Sequence, residues 1–168
     1  MSIRELIQSS ADSEKDRFCD AYIRMWNQDG NLKYLSFTGI PFLREQIQAW
    51  VDGLGPGSRI QYFYTEEGPE IAAILIINND PVNGFELYGL GVDAAHQGKG
   101  LGDRLIKKAV ETARAGGHRA VKVFVFADNT KMQRRILANG FFPVQVQPCR
   151  RYDGTGLVEY QKRIGSGS

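Results

Sequence analysis

Residues 84–102 read GFELYGLGVDAAHQGKGLG. The stretch begins as an apolar run (Phe85, Leu87, Tyr88, Leu90, Val92) that is short and rich in aromatic and β-branched residues, which predicts a strand. Three glycines at alternate positions follow: Gly98, Gly100 and Gly102. From Leu101 the pattern changes again, with Leu105, Ile106, Ala109, Val110 and Ala113 joining Leu101 on one face at helical spacing. The order is therefore strand, glycine turn, helix.

That order favours anions. The first turn of a helix carries backbone N–H groups without internal partners, and the aligned peptide dipoles place roughly half a positive charge there. Glycines ahead of it let a phosphate approach bare backbone. Three phosphate motifs compete for the stretch. A P-loop requires Gly-Lys-Ser/Thr, and Lys99 is followed by Gly100, so that motif is absent. A dinucleotide fingerprint is matched on paper by residues 89–94, with Glu111 downstream, but the match lies inside the strand rather than after it. The remaining pattern is Gln97-Gly98-Lys99-Gly100-Leu101-Gly102, following a strand that ends at Val92.

This turn resembles the acetyl-CoA signature of the GNAT superfamily of N-acetyltransferases, in which the turn amides bind the pyrophosphate of coenzyme A. A second block supports the resemblance. Residues 118–142, HRAVKVFVFADNTKMQRRILANGFF, read as a strand over 120–127, Asn129 as a helix cap, a short helix, and Gly140-Phe141 as a helix stop and the next strand. The likeness covers 60–164. It implies an α/β fold of the GNAT (acyl-CoA N-acyltransferase) type, a mixed, mostly antiparallel sheet of about seven strands flanked by about four helices. It also implies acetyl-CoA as cosubstrate, with Leu90, Gly91 and Val92 along the pantetheine arm. The turn residues Gln97, Gly98, Lys99, Gly100, Leu101 and Gly102, together with Asn129 and Met132, complete the expected cofactor-binding set.

By the same resemblance Glu86, six residues before Val92, is the candidate base that takes a proton from the attacking amine. Alternation sets it on the face opposite Phe85 and Leu87. One position departs from the family pattern: many members carry a Tyr seven residues after the capping Asn, which protonates the departing thiolate, and here Ile136 stands there. Tyr152, Tyr160, Cys149 or water are the alternatives. The expected activity is transfer of the acetyl group to a primary amine by direct attack in a ternary complex. The rival is a catalytically silent acyl-CoA-binding or regulatory module, and a nicotinamide-dinucleotide domain is a third option.

Composition agrees with one globular domain over 1–164, followed by a short tail, 165–168. No long apolar run or leader pattern is present, so the expectation is a cytoplasmic protein with no membrane partner. Cys19 and Cys149 show no metal or redox spacing and are expected to be reduced and buried; with His96 and His118 equally isolated, no metal is expected. The net charge of +2 conceals a division: residues 1–97 carry 7 Lys and Arg against 14 Asp and Glu, and residues 98–168 carry 14 against 5. A basic half suits a phosphate-rich ligand and an acidic half suits an amine acceptor, either a small molecule or a peptide. No stacking pattern points to nucleic acid. A homodimer is possible from the family likeness.

The rest of the chain supplies the framework. Residues 2–7 predict an edge strand, 12–26 an amphipathic helix, 42–51 a second helix, 59–66 and 71–77 a pair of strands, and 142–151 and 157–163 the last two. Trp26, Tyr34, Phe37 and Trp50 are candidates for an aromatic acceptor wall, with Asp29 or Glu45 to attract a cation.

Overall fold

The computed structural model describes residues 2–165; of the predicted tail, 166–168 lie outside the described residues. Seven strands form one sheet: β1 (Ile3–Leu6), β2 (Ile60–Glu67), β3 (Glu70–Asp80), β4 (Gly84–Val92), β5 (Ala120–Phe126), β6 (Phe142–Gln147) and β7 (Leu157–Arg163). Their spatial order is β1-β2-β3-β4-β5-β7-β6. All neighbours are antiparallel except β4 and β5. Five helices flank the sheet: α1 (Asp12–Asn27), α2 (Asp29–Leu35), α3 (Arg44–Asp52), α4 (Leu101–Ala115) and α5 (Thr130–Ala138). The mixed, mostly antiparallel sheet of seven strands expected from the sequence is the one observed, flanked by five helices where about four were expected.

The two faces of the sheet carry separate cores. Helix α4 presents Leu101, Leu105, Ile106, Ala109 and Ala113 to one face, against Leu75, Ile77, Phe85, Leu87 and Val123. Leu105 and Ile106 are fully buried, and each such side chain contributes about 1.5–3 kcal/mol. On the other face α1 and α3 set Phe18, Tyr22, Met25, Trp26 and Ile47 over Tyr62, Tyr64, Ile74 and Ile76.

Helix α2 occupies a stretch that the sequence presents as a break and an irregular segment. Asp29-Gly30-Asn31 offers turn chemistry and no buried face, and none of its seven residues is buried. The helix is held instead by polar contacts, including Asn31 Nδ2 donating to the Met25 carbonyl (2.8 Å) and the Arg151 guanidinium donating to the Lys33 carbonyl (3.1 Å). The strand expected over 142–151 stops at Gln147, where Pro148 removes a ladder donor and Cys149 turns at φ 54°. Cys149 is therefore exposed, not buried as expected, whereas Cys19 is buried and its thiol is pushed up to about 11 by burial.

Candidate active site

The site is built on a slip in β4. Its register against β3 shifts between Ile76 and Ile77, so that Ile77 faces Leu87 and Ile76 faces Gly89. Tyr88 is left unpaired, 61% exposed. Such a bulge moves the alternation by one residue. Leu90 and Val92 consequently pack against the same core as Phe85 and Leu87. The spacing was present in the sequence, where apolar positions run 85, 87, then 90, 92.

The second feature is a divergence. β5 pairs with β4 only from Phe85 to Leu87, opposite Val121 to Val123, and then continues with β7 along its whole length. On its β5 side the edge of β4 beyond Leu87 therefore has no strand beside it, which leaves room for an extended ligand up to Val92, whose carbonyl accepts from Gln97 and Asn31 (3.4 Å each). Leu90, Val92 and Met132 line the α4 side of this opening, each packed against that core.

At the end of β4 the Asp93 side chain caps a 3-10 turn over Ala94–His96. The glycine turn follows, with Gly98 at φ 81° and Gly100 at φ 76°; a Cβ at either would meet nothing within 4 Å. Helix α4 has no side-chain N-cap, and its first bond runs from the Arg104 N–H to the Gly100 carbonyl. The amides of Leu101, Gly102 and Asp103 precede that bond. Open space at Gly98 and Gly100 in front of a helix start suits a pyrophosphate, and at Gly102 the missing side chain makes room for the Arg135 guanidinium, which packs against it. The side chain of Leu101 is in the core, so only its backbone is presented.

The other predicted residues divide between the opening and its supports. Gln97 Nε2 donates to the Val92 carbonyl (3.4 Å) and its Oε1 accepts from Lys131 Nζ (3.0 Å), which ties the end of β4 to the start of α5. Asn129 accepts from the Met132 N–H (3.1 Å), the expected cap. Lys99 turns outward, its ammonium on the Glu67 carboxylate and beside His96 Nδ1 (3.3 Å). That contact holds the Glu67 carboxyl below the ordinary carboxylate range. A surface cavity of about 410 Å³ lies beside the turn, lined by Asp103, Thr130, Lys131, Arg134, Arg135 and Ala138.

Glu86 lies on the face opposite Phe85 and Leu87, with Lys122 beside it in register. Burial pushes its carboxyl above the ordinary carboxylate range; the Lys122 ammonium opposes the shift and Glu159 adds to it. Ile136, at the position where the family commonly has Tyr, is fully buried. Among the alternatives, Tyr160 is buried and donates to Gln133 Oε1 (2.8 Å), one turn of α5 before Ile136, while Tyr152 is exposed.

The four aromatic candidates do not form one wall. Trp26 is 3% exposed and stacks on Tyr22 at 4.3 Å. Phe37 packs edge-on to Phe126 (5.2 Å), Trp50 to Phe42 (6.3 Å), and Tyr34 lies beneath the Lys33 ammonium. Asp29 and Glu45 are exposed at the starts of α2 and α3. The sequence reading missed Arg151, whose side chain is fully buried between Asp128 (2.7 Å) and Asp153 (2.8 Å). It joins the loop after β5, the β6–β7 connection and α2. It also missed Glu159, a buried acid inside the LVEYQKR strand. A lone acid amid apolar residues was the available signal.

The model of the acetyltransferase (GNAT) family matches residues 15–141. The chain belongs to the GNAT family. Its relatives include a mycothiol acetyltransferase of Beutenbergia cavernae, 35% identical over 80 residues, which is 48% of this chain and 27% of that protein. The N-alpha-acetyltransferase RimI of Mycobacterium tuberculosis is 32% identical over 96 residues, 57% of this chain and 58% of that one. The match thus spans about a quarter of the first relative and under two thirds of the second. Among solved structures, an N-acetyltransferase from Staphylococcus aureus superposes with a TM-score of 0.78 at 17% identity, covering 98% of both chains. The acetyltransferase yncA of Salmonella typhimurium, solved with acetyl-CoA, gives 0.72 at 17%, covering all of this chain and 96% of that one. Among the described residues no group of three or more metal-ligating side chains is gathered, and no helix is long and apolar enough to cross a membrane.

Proposed function

We propose that this GNAT member transfers the acetyl group of acetyl-CoA to a primary amine by direct attack within a ternary complex. The observation that carries the reading is the unpaired edge of β4 leading straight into a glycine turn with open space above it. An acetyl thioester is already activated, so placing a neutral amine against it supplies most of the rate. In this reading the amides of residues 98–102 hold the pyrophosphate and the backbone of Leu90 to Val92 aligns the pantetheine arm. Gln97 and Asn129 fix the two walls, Met132 lines the opening, and Lys131 and Arg134 flank the nucleotide end. Lys99 contributes its backbone, since its side chain is held by Glu67.

Glu86 takes the proton of the ammonium, directly or through water. A base acts only when ionised, and burial raises the pKa of this carboxyl. Turnover should therefore fall as pH drops through a value above the ordinary carboxylate range. Glu86→Gln should lower turnover about 10²-fold or more, remove that acid limb and leave coenzyme A affinity intact. Unchanged turnover would eliminate Glu86 as the base. The thiolate leaving group is a weak base, which makes a dedicated acid dispensable. One observation favours a second reading, a silent acyl-CoA-binding module: Ile136 offers no proton where the family commonly has Tyr. Release of free coenzyme A from acetyl-CoA on adding an amine panel separates the two.

A further inference from the structure

We propose that Glu159 is a specificity-determining residue for the acceptor, and that the acceptor is an amine carrying a second cationic group. The proposal rests on the transferase reading and names its substrate class. Three buried carboxylates occur among the described residues: Asp80, Asp93 and Glu159. Asp80 is ion-paired with Arg59 (2.9 Å) and Asp93 with Arg24 (2.9 Å). Glu159, 7% exposed, has no Lys, Arg or His nitrogen within 4 Å among the described residues. Its oxygens accept instead from two neutral amides, Gln145 Nε2 and Gln161 Nε2 (2.9 Å). Those amides fix the direction of the carboxylate without pairing it to a cation, a place that a cationic group of the ligand would take.

Its place in the sheet says where that cation would come from. Glu159 pairs with Phe124 of β5, two residues beyond Lys122, and Lys122 pairs with Glu86. Glu86 and Glu159 therefore share one face, two strands and two residues apart, about 12 Å between Cα atoms at ordinary strand spacing and rise. The intervening Lys122 donates to the Asn83 carbonyl (3.2 Å); its ammonium acts on Glu86 through space without forming an ion pair with either carboxylate among the described residues. Opposite Glu86 on β3, Asn78 Oδ1 is buried without a donor. This face thus holds two carboxylates and an unused carbonyl, with Lys122 beside Glu86 and no ion pair at Glu159 among the described residues. An amine deprotonated at Glu86 and anchored by a second cation at Glu159 would satisfy both.

The test compares α,ω-diamines of three to eight carbons with monoamines of the same lengths. The best diamine should show a kcat/KM at least tenfold above its monoamine, the difference lying in KM. Glu159→Gln should erase that preference while leaving monoamine KM and coenzyme A affinity unchanged. Equal kinetics for the two series in the wild type, or a preference that survives Glu159→Gln, overturns the proposal. Should that variant not fold, Gln161→Ala, which frees the carboxylate to turn, should weaken the preference at least threefold, and an unchanged preference overturns it. If no amine is acetylated, the transferase reading falls by itself. Calorimetric titration of 1,6-diaminohexane and of hexylamine into the coenzyme A-bound protein then decides: tenfold tighter diamine binding sustains Glu159, and equal binding overturns it.

Discussion

Two pairs of glycines lie within a dozen residues of each other at the same alternate spacing, Gly89 with Gly91 and Gly98 with Gly100, and they serve different physical needs. The first pair is in extended backbone and is short of room: a Cβ on Gly91 would sit 2.6 Å from Trp26 Cζ3, and one on Gly89 would sit 3.2 Å from both Trp26 and Ile76. The second pair has ample room and needs left-handed backbone. One pair lets a helix approach a strand; the other turns the backbone in open space. Identical letters at identical spacing thus answer to close packing in one case and to left-handed backbone in the other. The reading of Gly91 as a site of close ligand approach is narrowed accordingly: its side-chain direction belongs to Trp26, and only its peptide edge faces the opening.

The comparison can be broken by substitution. The largest effect is expected from Gly98→Ala combined with Gly100→Ala, which should weaken coenzyme A binding more than tenfold by calorimetry. The backbone strain, about 1–2 kcal/mol per left-handed residue and so about 2–4 kcal/mol for the pair, also lowers the melting temperature, and affinity is therefore compared well below both transitions. Equal affinity in the double variant would remove the turn from the ligand site. Next, Gly91→Ala should destabilise the fold by about 1–3 kcal/mol through overpacking, measured by denaturant unfolding. Trp26→Leu in the same chain should recover part of that loss; additive losses would show that the indole is not the obstacle. Gly89→Ala, with a looser contact, should cost less than Gly91→Ala in the same assay. Smallest of all, Lys99→Ala should change coenzyme A affinity less than about threefold, because its ammonium is held on the Glu67 carboxylate at the surface and exposed ion pairs contribute little.

The architecture was legible because its signals are local. The amphipathic face of α4, the cap at Asn129 and the turn glycines each depend on residues within a few positions of one another. The bulge at Tyr88 was written in the slip of apolar spacing from 85, 87 to 90, 92, although that slip gains meaning only once both pairs are seen against one core. Helix α2 escaped because it buries none of its seven residues, and so carries no apolar period to read.

The chain alone determined the strand, glycine turn and helix order, the family, and the place of the glycine turn ahead of a helix start, since backbone conformation and helix polarity follow from neighbouring residues. Only the tertiary structure decided that Trp26 belongs to the core and Lys99 to Glu67. It also decided that Arg151 pins three segments and that Glu86 and Glu159 share a face. These are meetings of residues far apart in sequence, and burial, desolvation and charge compensation are fixed by what the fold brings together.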